Sequence, residues 1–388
     1  MRILLCPPPA ALAGSQTEAL DLASGVKDHG HRVSVFAPSG PAFEQARASG
    51  LDVITAPDPR RGKEWVRMLG TVVERDGVDL VHAYEWQPCL DAAFRTGVLR
   101  RTPVLVSVLS MSAPRLPRGL PIVVGTPALA ARQRETGRTA YVIEPSVDMI
   151  ANQSRDVPAA RARWDIDADE IVVSTVSMLS TEREKLQGVL SLMAVVDRLS
   201  ADFRIRLLIA GEGEGFEQVC RRAYRINERR GREIVQPLGF QADPGQVYDA
   251  ADVTIGMGTS AISAMAYGKP LIVQGAAGFW QTVRPDTAEQ FLYRGWFGVG
   301  GAGDRDLEAA LRPLLDDVDQ RAALGRFGRD LVGYRYSLTR AARRLAALYA
   351  EVGTDPLRVQ RMSRSVPRTV GERVPTRVLP IGVDPSTG

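Results

Sequence analysis

The sequence predicts an α/β fold of two successive Rossmann-like domains, each a mostly parallel sheet with helices on both faces. Three observations predict it. Short apolar runs rich in Val, Ile and Leu alternate with segments of helical spacing. That alternation restarts after a connection at Met149–Asp165. The 388 residues are enough for two domains of ordinary size.

In the first half, Met1–Cys6 is an apolar run closed by Pro7 and predicts the first strand. Gly14 to Asp28 carries Ala19, Leu20, Leu22, Ala23 and Val26 at helical spacing, and Gly30 ends that helix. Further strands fall at Arg32–Ala37, Leu51–Thr55, Val78–Ala83, Pro103–Leu109, Ile122–Gly125 and Thr139–Glu144, with a helix over Trp65–Arg75. In the second half, strands are predicted at Glu170–Val176, Ile205–Ala210, Ile234–Leu238, Val253–Ile255 and Pro270–Val273. Helices are predicted at Gln187–Leu199, Phe216–Arg229, Pro244–Ala250, Ala261–Tyr267, Asp304–Leu315 and Leu338–Val352. The domain boundaries follow as 1–150 and 166–352. From 353 to 388, prolines and scattered arginines without apolar periodicity predict a mobile tail.

Composition narrows the function. Lys plus Arg number 49 against 45 Asp plus Glu, a balance of +4. Six arginines in the tail, against Asp355, Glu372 and Asp384, supply +3 of it. The folded body is near neutral, which argues against a nucleic-acid partner. Arginines spread among prolines describe a solvated appendage rather than a membrane anchor. No apolar run reaches the length of a bilayer span, and Pro7-Pro8-Pro9 comes too early for a signal peptide. The expected location is the cytoplasm. Cys6, Cys89 and Cys220 are isolated and form neither a metal spacing nor a disulfide framework.

Ligands of open parallel sheets bind beyond the carboxyl ends of the strands, so the residues there are the candidates. After the first strand, Gly14 and Ser15 open a helix whose amides could hold an anion, or Ser15 or Thr17 simply caps it. After the fourth come His82, Tyr84, Glu85 and Trp86, a polar and aromatic lip suited to ligand recognition, or core packing with a solvated Glu85. In the second half, Lys185 follows a strand end and could neutralise a phosphate, or be one more solvent-facing charge. Gly211 and Gly213 permit close backbone approach. Gly256-Met257-Gly258-Thr259-Ser260 before a helix suits a diphosphate cradle, or a plain capped turn. It is not a Walker loop, since Lys269 lies after the helix.

Taken together, these segments resemble the GT-B glycosyltransferases, in particular glycosyltransferase family 4, over about Met1 to Val352. Gly30-His31-Arg32-Val33, Val78-Asp79-Leu80-Val81-His82-Ala83 and Ile143-Glu144-Pro145-Ser146-Val147-Asp148 carry the resemblance in the first half. Glu184-Lys185, Ala210-Gly211-Glu212-Gly213, Leu238-Gly239-Phe240, Ala250-Ala251-Asp252-Val253 and Ala264-Met265-Ala266-Tyr267-Gly268-Lys269-Pro270 carry it in the second. The resemblance implies transfer of a sugar from a nucleotide-sugar donor (UDP-, GDP- or dTDP-linked) to an acceptor hydroxyl on a small molecule, glycan or lipid. Retention of configuration, no metal and no cofactor are implied. So is a cleft between an acceptor-binding first domain and a donor-binding second one.

Carried over residue by residue, Lys185, Gly258, Thr259 and Ser260 would hold the donor phosphates, with Gly14 and Ser15 closing over them. Gly211 and Gly213 would line the donor site, and Ser263 could meet the ribose. His82 or Glu85 would orient the acceptor hydroxyl, with Tyr84 and Trp86 as acceptor contacts. The sequence departs from the family pattern where a pair of Glu is usual: Ile255 and Ser263 stand there. Met178 replaces a usual Arg, and Leu109 a usual His. A scaffold that binds nucleotide or sugar without turnover is therefore the second reading. A pyridoxal-phosphate phosphorylase built on Lys269 is a third, with no supporting motif.

Overall fold

The structure is a computed structural model that describes residues 1–7, 13–57, 63–85, 102–109 and 119–353; of residues 13–15 and 41–42 it describes the backbone alone. Trp86 and the tail beyond 353 lie outside the described residues. Two compact units form, one from Met1–Pro145 with the chain from Leu338, the other from Ser146–Ser337.

In the first unit the strands are β1 (Arg2–Cys6), β2 (Arg32–Ala37), β3 (Asp52–Thr55), β4 (Leu80–Tyr84), β5 (Val104–Val108), β6 (Ile122–Val124) and β7 (Ala140–Val142). They pair in parallel in the order β3-β2-β1-β4-β5-β6-β7. Helices α1 (Ala13–Lys27), α2 (Pro41–Ala48), α3 (Lys63–Arg75) and α4 (Pro127–Glu135) cover the sheet. Both sheet faces are buried, so the central strands are apolar throughout rather than alternating. Successive side chains still part to opposite faces. Ile3, Leu5, Leu80 and Tyr84 pack with α1, while Leu4, Cys6, Val81 and Ala83 pack with Trp65, Leu69 and Val72 of α3. Thr126 starts α4 by accepting the Leu129 N–H at 3.2 Å, with Pro127 at the first helical position.

The second unit runs α5 (Val157–Ala162), β8 (Ile171–Val176), α6 (Lys185–Leu199), β9 (Ile205–Ala210), α7 (Phe216–Arg230), β10 (Val235–Gly239), α8 (Gly245–Ala250) and β11 (Val253–Gly256). There follow α9 (Thr259–Ala266), β12 (Leu271–Gln274), β13 (Trp280–Thr282), α10 (Ala288–Arg294), α11 (Asp304–Asp316) and α12 (Val318–Arg335). The sheet order is β10-β9-β8-β11-β12-β13, parallel except for the edge strand β13.

The chain then closes with α13 (Leu338–Gly353), which belongs to the first unit. The boundary thus falls at Pro145 and Ser337, not at 150 and 352. Burial is the reason. Ala342, Leu345, Leu348, Tyr349 and Val352 join the core formed by Leu20, Ala23 and Val26 of α1. Each large side chain so buried stabilises the fold by about 1.5–3 kcal/mol. Gly25 makes the approach possible, because a Cβ there would stand 2.8 Å from the Ala342 Cβ. The Tyr141 hydroxyl also donates to Glu351 Oε1 at 2.6 Å.

The 18-residue helix α12 is an addition to the predicted elements, its apolar residues Leu324, Phe327, Leu331 and Val332 being interrupted by Gly325 and Gly328. Its buried face is Gly325, Gly328 and Val332. A Cβ at Gly325 would lie 2.1 Å from the Gly268 carbonyl oxygen. The helix packs by this backbone proximity together with Val332 and the partly buried Phe327 and Leu331, and the glycine contacts carry no hydrophobic periodicity. Helices α2, α4, α5 and α10 and the strand β13 are likewise additions to the predicted elements. None of the described helices is long and apolar enough to cross a membrane.

Candidate functional site

In the second sheet, β8 lies between β9 and β11. Strand order reverses there, and the loops leaving β8 and β11 part to opposite sides; such a point is where open α/β sheets bind ligands. Residues 177–184, 211–215, 257–258 and 275–279 all leave carboxyl ends of neighbouring strands.

The first two loops are laced together. The Leu179 N–H donates to the Glu212 carbonyl at 2.8 Å, and the Gly215 N–H to the Leu179 carbonyl at 2.9 Å. Gly211 and Gly213 sit at φ of 141° and 144°. A Cβ on them would come within 1.8 Å of the Ser177 carbonyl oxygen and 2.6 Å of that of Leu179. These glycines therefore admit a neighbouring loop. Their lack of side chains is explained without a ligand, in place of the ligand approach expected from the sequence.

After β11, Gly258 takes φ 59° and leads into α9, which no side chain caps. Its N–H donates to the Trp296 carbonyl at 2.8 Å. Ser260 Oγ closes its own turn, donating to the Met257 carbonyl at 2.9 Å and accepting the Met257 N–H at 3.3 Å. The Thr259 side chain is exposed, and Ser263, one turn later, is half-buried. Uncapped leading amides, an exposed hydroxyl and a helix dipole together favour an anion.

Lys185 is the first residue of α6, and the turn before it is unusual. Arg183 and Glu184 both take left-handed backbone angles, φ 55° and 56°, each costing a non-glycine residue about 1–2 kcal/mol. Three contacts hold the turn. Glu184 Oε2 accepts the N–H of Ala277 at 2.8 Å. The buried Gln274 amide donates to the Glu184 and Lys185 carbonyls, both at 3.2 Å. Gly188 makes room for that amide, since a Cβ there would lie 1.8 Å from Gln274 Nε2. Sequence reasoning singled out Lys185 as a candidate, quoted Glu184 only as its neighbour in the family resemblance, and did not single out Arg183 or Gln274. The charge run Glu182-Arg183-Glu184-Lys185 was visible, but nothing in it signals a left-handed turn.

The first unit treats its candidates differently. His82 is fully buried. Its Nδ1 lies 2.6 Å from the Tyr349 hydroxyl and its Nε2 2.8 Å from Ser107 Oγ. Burial pushes its pKa down from 6.5 to about 3, so the ring is neutral and ties α13 to the sheet. A fully enclosed imidazole with both nitrogens engaged does not meet an acceptor hydroxyl in this arrangement. Tyr84 is equally buried, its ring 4.4 Å from that of His82, and burial raises its pKa. The reason is strand alternation, which puts 82 and 84 on the face that α13 covers. Glu85, just past β4, is partly exposed at φ 62°, and its Oε1 accepts the Leu109 N–H at 3.1 Å. Gly14 and Ser15 fall in the first turn of α1. Lys269, half-buried, donates to the Asp249 carbonyl at 3.1 Å, and desolvation lowers its pKa.

Two switch-point sheets in one chain, the second with an anion-favouring edge, define a two-domain nucleotide-fold protein. Family comparisons carry this further. The Glycosyltransferase Family 4 model matches residues 12–164, and the Glycosyl transferases group 1 model matches residues 156–331. The chain belongs to the family-4-like glycosyltransferases of GT-B fold. Comparison with curated proteins found no match. Among solved structures, a glycosyltransferase from Rickettsia africae superposes with a TM-score of 0.72 at 14% identity, covering 91% of this chain and 99% of that one. Anabaena HepE in complex with UDP gives 0.71 at 16%, covering 90% and 100%. The catalytic domain of Arabidopsis thaliana starch synthase IV bound to ADP and acarbose gives 0.64 at 11%, covering 91% and 99%. At these identities the likeness is one of fold.

Proposed function

We propose that the second unit binds the nucleotide diphosphate of a sugar donor at the edge formed by Lys185, the Thr259 hydroxyl and the leading amides of α9, with Gly258 and Ser260, whose N–H and hydroxyl are engaged with the Trp296 and Met257 backbone, shaping that edge. The sugar then passes to an acceptor hydroxyl held by the first unit. The observation that carries this reading is the uncapped start of α9 with the exposed Thr259 hydroxyl, beside a β8 loop that ends on Lys185.

Catalysis here is leaving-group stabilisation. As the glycosidic bond to the diphosphate breaks, negative charge grows on the phosphate oxygens. The Lys185 ammonium and the amides of α9 meet it, and such preorganised donors are worth several kcal/mol in a transition state. Because the leaving group is met by an ammonium and amide dipoles, we assign the reaction as metal-independent. We also assign it as retaining, with incoming and departing oxygens on one face of the sugar. Ser263, half-buried one turn into α9, is the residue we assign to the ribose. Glu85 is the acceptor-side group. His82 and Tyr84 support it from within the core. UDP is the first donor base to test, since HepE was solved with UDP and with UDP-glucose.

Calorimetric titration of the full chain with UDP-, GDP- and dTDP-sugars tests the reading. Binding of one of them is expected, with Lys185→Ala weakening it by about 1–3 kcal/mol, the scale of a charged hydrogen bond. No binding by any of the three ends the proposal. Binding without transfer to any acceptor or to water leaves the scaffold reading, which the Ser263 and Ile255 positions would then explain.

A further inference from the structure

Resting on that donor site, we infer that Arg183 is a second cation for the diphosphate, and that Glu182 is the internal carboxylate the diphosphate displaces. The geometry points to this from several sides. The β8 loop is pinned at both ends. Thr181 donates its N–H and its hydroxyl to Glu214 Oε1 at 2.9 and 2.8 Å, and Glu184 is tied to Ala277 and Gln274. Between the pins only the side chains of Glu182 and Arg183 are left to move.

The guanidinium of Arg183 lies 5.7 Å from the centre of the Phe297 ring. Phe297 follows Trp296, whose carbonyl receives the Gly258 N–H. Arg183 therefore stands beside the segment that holds the α9 loop, and on the same turn as Lys185. The two cations follow β8 and the uncapped helix start follows β11, the strand beside it. Among the described residues, no side chain or backbone group is hydrogen-bonded to either cationic head. Glu182 reaches both, Oε1 to Arg183 Nε at 3.5 Å and Oε2 to Lys185 Nζ at 3.7 Å.

That bridge is loose, and Glu182 is 64% exposed against 25% and 20% for its partners. A structural pair in the same unit looks different: Arg206 and Glu170 are 9% and 3% exposed and hydrogen-bonded at 3.1 Å. A diphosphate offers more charge and more acceptor oxygens than one carboxylate and takes both cations from it. Glu182 thus keeps two nearby positive charges from repelling each other when no anion is bound, and lowers donor affinity by competing. Arg183 also supplies a phosphate cation where Met178 stands exposed in the usual arginine position.

The test is calorimetric titration of the full chain with UDP and, separately, with inorganic pyrophosphate. Arg183→Ala is expected to weaken both by about tenfold or more, as for a lost charged hydrogen bond, with Arg183→Lys recovering part of the loss. Glu182→Gln is expected to tighten both by about three- to tenfold. Arg221→Ala, an exposed arginine paired to Glu217 on α7, controls for net charge and should change neither. Affinity unchanged in Arg183→Ala, or unchanged or weaker in Glu182→Gln, overturns the inference while a loss in Lys185→Ala leaves the donor site standing. Binding of neither probe to wild type or to Glu182→Gln rejects the donor site and this inference with it.

Discussion

The two units use one topology and treat its switch point in opposite ways. Beyond β4 in the first unit, the side chains richest in chemistry are consumed by the structure. Both nitrogens of His82 are engaged, Tyr84 is enclosed, and the Glu85 carboxylate holds the Leu109 amide. Beyond β8 and β11 in the second, the loops are held by backbone-to-backbone bonds, the buried Gln274 amide, the carboxylates of Glu184 and Glu214 and the Ser260 hydroxyl. Thr259 remains exposed, and among the described residues the cations Arg183 and Lys185 share a loose ion pair with Glu182, with Arg183 also lying over the Phe297 ring. The difference teaches that residue type at a strand end is a poor guide by itself. What counts is whether a group's hydrogen-bonding capacity is already satisfied.

The strongest way to break this contrast is to disturb the scaffolding of the open edge. Gly211→Ala places a Cβ 1.8 Å from a backbone oxygen at a φ of 141°, and neither loop can retreat. A loss of about 3 kcal/mol or more is expected in urea unfolding, larger than ordinary overpacking. Gly300→Ala, at φ 85° with nothing within 4 Å, isolates backbone strain and should cost only about 1 kcal/mol. Equal losses in the two variants would refute the loop-packing role of Gly211.

Next in size is His82. His82→Ala removes a buried ring and strands the Tyr349 and Ser107 hydroxyls, so about 2–4 kcal/mol of stability should go. A stable His82→Ala protein that had lost only turnover would reverse the comparison and return the residue to the site.

The same histidine gives a pH signature. Its pKa is 6.5 when unfolded and about 3 when folded, so between these values the unfolded chain binds the extra proton. Its contribution is therefore fully present above pH 6.5 and is lost as pH falls toward 3, at up to about 1.4 kcal/mol per pH unit. His31 acts in the same direction, its pKa lowered first by burial and then by the N-terminal ammonium. Unfolding free energies at pH 7, 6, 5 and 4 should show the slope in wild type and a shallower one in His82→Asn. Parallel slopes would mean that His82 titrates freely.

Much of the fold was legible because buried parallel strands are continuous apolar runs, and β1, β2, β8 and β9 came out within a residue of their observed bounds. What stayed hidden was structure made by glycine contacts and by long-range burial. Helix α12 packs through Gly325 and Gly328, and α13 chooses the first unit through a face that any apolar groove could have received. Of the proposed donor edge, Lys185 and the Gly258–Ser260 loop were candidates by their place after strand ends. His82 was misread because nothing in His82-Ala83-Tyr84-Glu85 announces the helix 267 residues away that covers it. Gln274 was invisible, since its role needs the empty volume at Gly188.

The smallest expected effect on stability is the sharpest test of the open edge. Thr259→Val keeps the shape and branching of the side chain and removes only a hydroxyl. That side chain is exposed and does not cap its helix, so unfolding free energy should stay within about 0.5 kcal/mol of wild type. Binding should respond more: a lost neutral hydrogen bond to a phosphate oxygen is worth about 1 kcal/mol, or roughly fivefold in affinity. A variant that binds UDP as tightly as wild type would show that the α9 amides hold the anion without this hydroxyl. One that unfolds easily would show that Thr259 is bound into the structure as His82 is, and the distinction between the two edges would fall with it.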